Sequence, residues 1–138
     1  MAEEPDFTPR QRRRYLSMLD RVGENWVEVF DGNTEFYSSA YWDLLTEVWR
    51  VDSPVRKTDA LRFMKAIKSA HTAGKYIEEA VRVGILIESD NPEDARSRLL
   101  TLSDAMRERL DRFFDKTLSE VLATAHEIGA ERDGSAGG

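Results

Sequence analysis

One short segment breaks an otherwise helical pattern, and it limits the possible folds more than any other feature. Up to Gly84 the apolar residues recur at spacings of three and four, the rhythm of amphipathic helices. Ile85-Leu86-Ile87 is short and rich in β-branched residues, which predicts a strand. Ser89-Asp90-Asn91-Pro92-Glu93-Asp94 is turn chemistry. Arg96 to Leu102 then reads as a returning strand, so the pair forms a β-hairpin. From Ser103 the helical rhythm resumes.

The helices around the hairpin can be placed from the same spacings. Thr8-Pro9 reads as a cap and first turn, and Tyr15, Leu19, Val22, Trp26 and Phe30 mark the apolar stripe that follows. That helix stops near Asp31-Gly32-Asn33. A second begins at Ser38 or Ser39, carries Tyr41, Leu44, Leu45, Val48 and Trp49 on one face, and is broken at Asp52-Ser53-Pro54. A short extended piece at Pro54 to Arg56 precedes a third helix, capped by Thr58, with Ala60, Phe63, Met64 and Ile67 as its buried stripe. Ser69-Ala70-His71-Thr72 reads as a tight turn. The fourth helix runs from about Thr72 to Val83, with Gly84 as its C-cap glycine. The last helix starts at Ser103, and its stripe passes through Met106, Leu110, Phe113, Phe114, Leu118, Val121, Leu122, Ala125 and Ile128.

Two helices, a tight turn and a two-stranded hairpin in this order make a winged helix-turn-helix. The expected fold is therefore mainly α with a small β-hairpin wing, flanked by N- and C-terminal helices. The expected organisation is an N-terminal arm at 1–9, N-terminal helices at 10–52, the winged helix-turn-helix at 53–102, a C-terminal helix at 103–130 and a flexible tail at 131–138. One small domain cannot cover the stripes of both flanking helices, which points to an intertwined homodimer.

Composition excludes several alternatives. At 138 residues, 41% of them hydrophobic, the chain suits one ordinary domain with its own core. It has no cysteine, which removes disulfide, thiol-redox and cysteine-zinc chemistry. Its two histidines, His71 and His126, are far apart in sequence. The start is acidic and lacks the apolar core of a signal peptide. No apolar run approaches the ~20 residues of a membrane helix. A cytoplasmic location without membrane contact is the expectation. No nucleophile–base pair, phosphate loop or metal cluster stands out, so an enzyme and a bound cofactor are not expected.

The net charge of −6 conceals a strong asymmetry. Residues 1–52 carry 6 basic and 11 acidic side chains, whereas residues 53–84 carry 7 basic and 3 acidic ones. The helix-turn-helix is thus a basic segment in an acidic chain, the electrostatic footprint of a DNA-reading face. A solvated face with a chance bias is the plainer alternative.

The span from Ser53 to Leu110 resembles the MarR family of winged-helix transcription factors. The residues that carry this are Gly84, then Ile85-Leu86-Ile87, then the wing tip Asn91-Pro92-Glu93-Asp94-Ala95-Arg96, then Leu102-Ser103 at the next helix start. Ser103 replaces a usual threonine, Met106 sits where glycine is common, and Gly74 lies inside the recognition helix. The resemblance implies a homodimeric regulator of transcription, a repressor, that binds double-stranded DNA in sequence-specific fashion. It would set its recognition helix in the major groove and its wing in the minor groove. It also implies a pocket for a small aromatic effector near the aromatics Trp26, Phe30, Phe36, Tyr37, Tyr41, Trp42 and Trp49; a dimer core is the other reading of these rings.

On a helical wheel of the fourth helix, Ala73, Tyr76, Ile77, Ala80, Val81 and Val83 face the core. Gly74, Lys75, Glu78 and Arg82 face away, with Thr72 and Glu79 at the flanks. The candidate DNA-binding residues are Thr72, Gly74, Lys75 and Arg82 on this helix, Arg62 and Lys65 before it, and Arg96 and Arg98 on the wing. Lys75 suits a guanine edge or a phosphate, and Thr72 a phosphate or a base near the helix start. Gly74 would allow close backbone approach. Glu78 is either an acceptor for a cytosine amino group or an acidic residue pointing away from DNA. Arg96 suits a narrow minor groove, with Asp94 placed to hold its guanidinium, or else the pair merely shapes the hairpin. His71 suits an ordinary capping or solvent role, or else a phosphate contact, and His126, late in the last helix where a cation favours the dipole, is assigned no chemistry. Arg10, Arg12, Arg13 and Arg14 form a solvated or dimer-facing patch, or a contact to the DNA backbone. The alternative function is a winged-helix dimer serving protein–protein interaction, with DNA reading lost.

Overall fold

The computed structural model describes residues 6–137, and side chains as far as Arg132. Its described residues form two compact units. One comprises the residues up to Gly32 and those from Arg112 on, and the other comprises Asn33 to Asp111.

In the first unit, α1 (Pro9–Val29) opens with a reciprocal cap. The Gln11 backbone N–H donates to Thr8 Oγ1 at 3.1 Å, and the Thr8 N–H donates to Gln11 Oε1 at 2.9 Å. The helix ends where Asp31 and Gly32 both take positive φ, 55° and 86°, as the predicted stop requires. The other part of this unit is the long C-terminal stretch of α5 (Asp104–Gly137). Trp26 stands edge-on to Phe30 and to Phe113, with ring centres 5.2 and 5.4 Å apart. Asn25 Nδ2 donates to Glu120 Oε2 at 3.1 Å. Arg14 pairs with Glu127 at 2.9 Å and also with Glu131, while Arg10 lies 3.6 Å from Glu131. Two of the four N-terminal arginines are therefore spent on carboxylates of α5. That helix continues through 131–137, the stretch expected as a flexible tail. The expected arm at 1–9 falls partly outside the described residues, and Pro9 already belongs to α1.

The second unit contains α2 (Ser39–Val51), β1 (Val55–Arg56), α3 (Lys57–Ala60), α4 (Ala70–Arg82), β2 (Leu86–Asp90), β3 (Arg98–Leu102) and the first turns of α5. A single 3₁₀ turn, Thr34–Phe36, precedes α2, and another, Leu61–Phe63, follows α3. Ser38 caps α2 by accepting from the Tyr41 N–H at 3.2 Å. Leu44, Leu45, Val48, Ile77, Leu86, Leu100 and Leu110 are almost fully buried and form the core of this unit. The sheet has the order β1-β3-β2 and is antiparallel throughout. Its register pairs Val55 with Leu100, Leu86 with Leu102, Glu88 with Leu100 and Asp90 with Arg98. Ser103 caps α5, accepting from the Met106 N–H at 3.1 Å.

The fold class is as the spacings indicated, but four local expectations are corrected. The third helix is not a full helix. Its N-cap is Arg56 rather than Thr58, and it gives way to the 3₁₀ turn and leaves helical geometry at Met64, whose ψ is 82°. Met64 is buried there, whereas Phe63 and Ile67 are only half-buried. So short a helix gains little from propagation, and tertiary burial of Ala60 and Met64 decides its shape. The fourth helix begins at Ala70, because Ser69 is its cap and accepts from the Thr72 N–H at 3.3 Å. The segment read as a tight turn is thus the cap and first turn of α4. In the hairpin, Ser89 and Asp90 lie in β2 and Arg96 lies in the turn, so the first strand runs on to Asp90 and the second starts only at Arg98. Val83 is 44% exposed rather than buried, because the helix has already ended at Arg82.

Candidate nucleic-acid interface

The residues proposed for DNA contact all lie in the second unit. The apolar side of α4 is fixed by Ala73, Ile77 and Ala80, each at most 1% exposed. A buried phenol adds a specific tie. Tyr41 Oη on α2 donates to the Tyr76 backbone carbonyl at 3.1 Å, and the two rings meet edge-on at 5.1 Å. Phe36 packs on the other side of Tyr41 at 4.8 Å. Burial, with the nearby charges of Glu35 and Glu79, pushes the Tyr41 phenol above its ordinary range. What α4 leaves in solvent is Ala70, His71 and Thr72 in its first turn and then Lys75, Glu78 and Arg82.

Gly74 does not share that outer face. It is half-buried, and a Cβ built on it would sit 4.0 Å from Leu61 Cδ2. It therefore points toward the 3₁₀ turn that precedes α4 rather than outward, which corrects its place on the wheel.

Nine cations lie between Ser53 and Leu102: Arg56, Lys57, Arg62, Lys65, Lys68, Lys75, Arg82, Arg96 and Arg98. Four of them are held by carboxylates of the same unit. Arg56 Nε lies 2.8 Å from Asp59 Oδ2. Lys57 Nζ lies 3.2 Å from Glu88 Oε1, and Arg98 Nε reaches the same oxygen at 3.4 Å while its Nη1 pairs with Asp90. Arg82 grips Glu79 through two nitrogens, Nε to Oε2 at 2.8 Å and Nη2 to Oε1. The hydrogen bond from Arg82 holds the Glu79 carboxyl below the usual range, and Glu79 in turn raises the guanidinium. Burial pushes the Glu88 carboxyl up, but the hydrogen bonds and charges of Lys57 and Arg98 outweigh that and hold it below the usual range. The other five, Arg62, Lys65, Lys68, Lys75 and Arg96, are exposed and make no ion pair among the described residues.

The wing tip is shaped differently from the expectation. Asp94 Oδ1 accepts from the Arg96 backbone N–H at 3.0 Å, not from its guanidinium. The Asn91 side chain accepts from the Glu93 N–H at 3.0 Å in the same manner. The tip is thus a pair of side-chain-capped turns that leave the Arg96 guanidinium to solvent. Two connections escaped the sequence: the double role of Glu88, hidden while Glu88 and Asp90 were misplaced relative to the strand, and the Tyr41–Tyr76 tie, which joins residues 35 apart. The pairing of Asp90 with Arg98 was in principle readable from a correct hairpin register. His71 and His126 are exposed, and among the described residues no group of three or more acidic or histidine side chains could hold a metal.

Most of the seven early aromatics serve packing. Trp26, Phe30, Phe36 and Tyr41 are buried, while Tyr37 and Trp42 are 60% and 40% exposed. Each unit also has a recess. That in the first unit is about 340 Å³, lined by Phe7, Gln11, Arg12, Tyr15 and Ile128. That in the second is about 510 Å³, lined by residues of α2 with Arg62, Phe63 and Lys65. No described helix is long and apolar enough to cross a membrane.

Among solved structures, a MarR-like transcription regulator of Bacillus cereus is similar over 91% of this chain and 84% of its own, with 17% identity and a TM-score of 0.55. A MepR variant of S. aureus, solved bound to an oligodeoxyribonucleotide, covers 96% of this chain and 98% of its own at 13% identity and TM-score 0.62. The transcriptional repressor CouR, solved on a 23-mer DNA duplex, matches over 91% and 84% of the two chains at 19% identity and TM-score 0.53. The fold is that of the MarR-like regulators. No family model matches the sequence, and no curated protein does. In the MarR-like frame, α3 and the 3₁₀ turn form the first helix of the helix-turn-helix, α4 is the second helix, and β2–β3 is the wing.

Proposed function

We propose that the chain is a sequence-specific, double-stranded-DNA-binding regulator of transcription that acts as a homodimer and represses by occupying its operator. The observation that carries this reading is the set of five exposed cations without an ion pair among the described residues. They sit on every part of a winged helix that can meet DNA: Arg62 on the 3₁₀ turn, Lys65 and Lys68 on the linker, Lys75 on α4 and Arg96 at the wing tip. α4 enters the major groove, with Lys75 on a guanine edge or phosphate and Thr72 near the helix start on a phosphate or base. Arg96 lies along the minor groove beside the wing. MepR and CouR, of the same fold, were solved on DNA, which supports the partner class.

The homodimer is supported by the first unit. Tyr15, Leu16 and Leu19 on α1 are 42–56% exposed, and Leu118, Val121 and Leu122 on α5 are 42–71% exposed. So much apolar surface on two helices fits burial against a second copy. A small aromatic effector would be sought first in the two recesses, whose volumes suit such ligands.

The test is binding to a mixed-sequence duplex as salt is raised. A phosphate-contacting protein loses affinity steeply, with about 0.9 of logarithmic slope per neutralised phosphate. Lys75→Ala is expected to remove about one contact from that slope without changing the melting temperature. Weak binding that ignores salt, in wild type and Lys75→Ala alike, overturns the reading in favour of a protein-interaction dimer.

A further inference from the structure

The second unit spends carboxylates on cations at the same surface where the function needs cations. Glu79 lies one turn before Arg82 on α4 and takes both ends of its guanidinium, with Nε–Oε2 at 2.8 Å. Glu88 on β2 takes Lys57 of α3 at 3.2 Å and Arg98 of β3 at 3.4 Å. These pairs contribute little to stability, because exposed ion pairs are individually weak. Their effect on a polyanion is larger. Each carboxylate cancels a charge that would otherwise release counterions from DNA, and it also repels phosphate directly.

We infer that Glu79 and Glu88 limit sequence-independent DNA binding by occupying Arg82 and Lys57, and together with Asp90 also Arg98, with built-in carboxylates in place of phosphate. This rests on the DNA-binding reading above. It assigns these two acidic residues a role at the interface although neither needs to touch a base. Non-specific affinity is then set by Arg62, Lys65, Lys68, Lys75 and Arg96, and recognition depends on the contacts α4 makes when seated. Glu88 also differs from Glu79 in joining three elements, so it fixes the wing strand β2 to α3 while it masks.

The experiment measures affinity for a mixed-sequence duplex, across a salt series, for wild type, Glu79→Gln, Glu88→Gln and Asp20→Asn. Glutamine keeps the shape and removes the charge. Asp20 is exposed on α1, makes no ion pair among the described residues, and its substitution changes net charge equally. The expected result is tighter binding for both glutamine variants, on the order of 5- to 10-fold each at about 0.1 M salt, with the salt slope steeper by about one. Asp20→Asn should match wild type. A purely structural role for the pairs predicts the opposite sign, unchanged or weaker binding with a lowered melting temperature, and would sink the inference. Equal gains in all three variants would assign the effect to overall charge and overturn it too. If wild type binds with a steep slope and the glutamine variants follow it, the inference fails while the function stands. If wild type and variants alike show no salt-dependent binding, the function itself fails and this inference with it.

Discussion

At the residue scale, the same chemistry has opposite consequences depending on what lies within 4 Å. Lys75 and Arg82 are both exposed cations on α4, yet Arg82 is gripped by Glu79 and Lys75 is not. Charge counting made both candidates for DNA contact; it could not show which charge was already committed. Tyr41 presents the reverse case. An apolar stripe predicted its burial, but not the hydrogen bond at 3.1 Å by which it holds the Tyr76 carbonyl of α4. Tyr41→Phe removes that donor and leaves a carbonyl one partner short, at a cost of about 1 kcal/mol in urea unfolding. The pH dependence follows from the raised phenol. In the unfolded chain the phenol ionises near its ordinary value of 10.0, and in the fold burial delays it. The stability from Tyr41 is therefore complete below pH 10 and is lost as pH climbs toward the folded value. Wild type should lose stability more steeply above pH 10 than Tyr41→Phe does. Parallel curves for the two proteins in alkaline urea titrations would refute this account of Tyr41.

At the element scale, helices with strong stripes and hydroxyl caps were legible, and weakly cooperative pieces were not. Thr8, Ser38 and Ser103 cap α1, α2 and α5 as their positions suggested. The sequence could not say that α3 stops after four residues, because Ala60, Phe63, Met64 and Ile67 keep a helical spacing through a segment that turns 3₁₀ at Leu61 and leaves helical geometry at Met64. It placed the start of α4 at about Thr72, whereas Ser69 caps the helix; both are good cap residues. The hairpin was legible as a hairpin, but its strand bounds were not, because Ser89 and Asp90 carry turn propensity inside a strand. Gly74 joins these observations to a test. Mid-helix glycine costs about 0.5–1 kcal/mol relative to alanine. A Cβ at Gly74 would meet only the end of the Leu61 side chain, at 4.0 Å. Gly74→Ala should therefore raise stability by about 0.5–1 kcal/mol and leave DNA affinity unchanged. A loss of affinity in a variant that melts higher would show that α4 needs a bare backbone there to approach its target.

At the scale of the whole molecule, among the described residues an acidic chain carries five exposed cations without an ion pair between Ser53 and Leu102, and much exposed apolar helix surface in the other unit. The long stripes of α1 and α5 are only partly buried in a single chain. On α1 the buried residues are Gln11, Met18, Asn25, Trp26 and Val29, and on α5 the buried part of the apolar stripe ends near Phe113. Tyr15, Leu16 and Leu19 on α1 and Leu118, Val121 and Leu122 on α5 stay exposed in a single chain. Two copies joined through that surface would present two recognition helices, and twofold symmetry would then be written into the DNA they select. Selection from random duplex DNA at low salt, with the enriched pool sequenced, tests this directly. The account predicts a pseudo-palindrome whose half-sites lie about one helical turn apart. A pool that stays random, or one enriched in a lone half-site without symmetry, would contradict a dimeric operator reader.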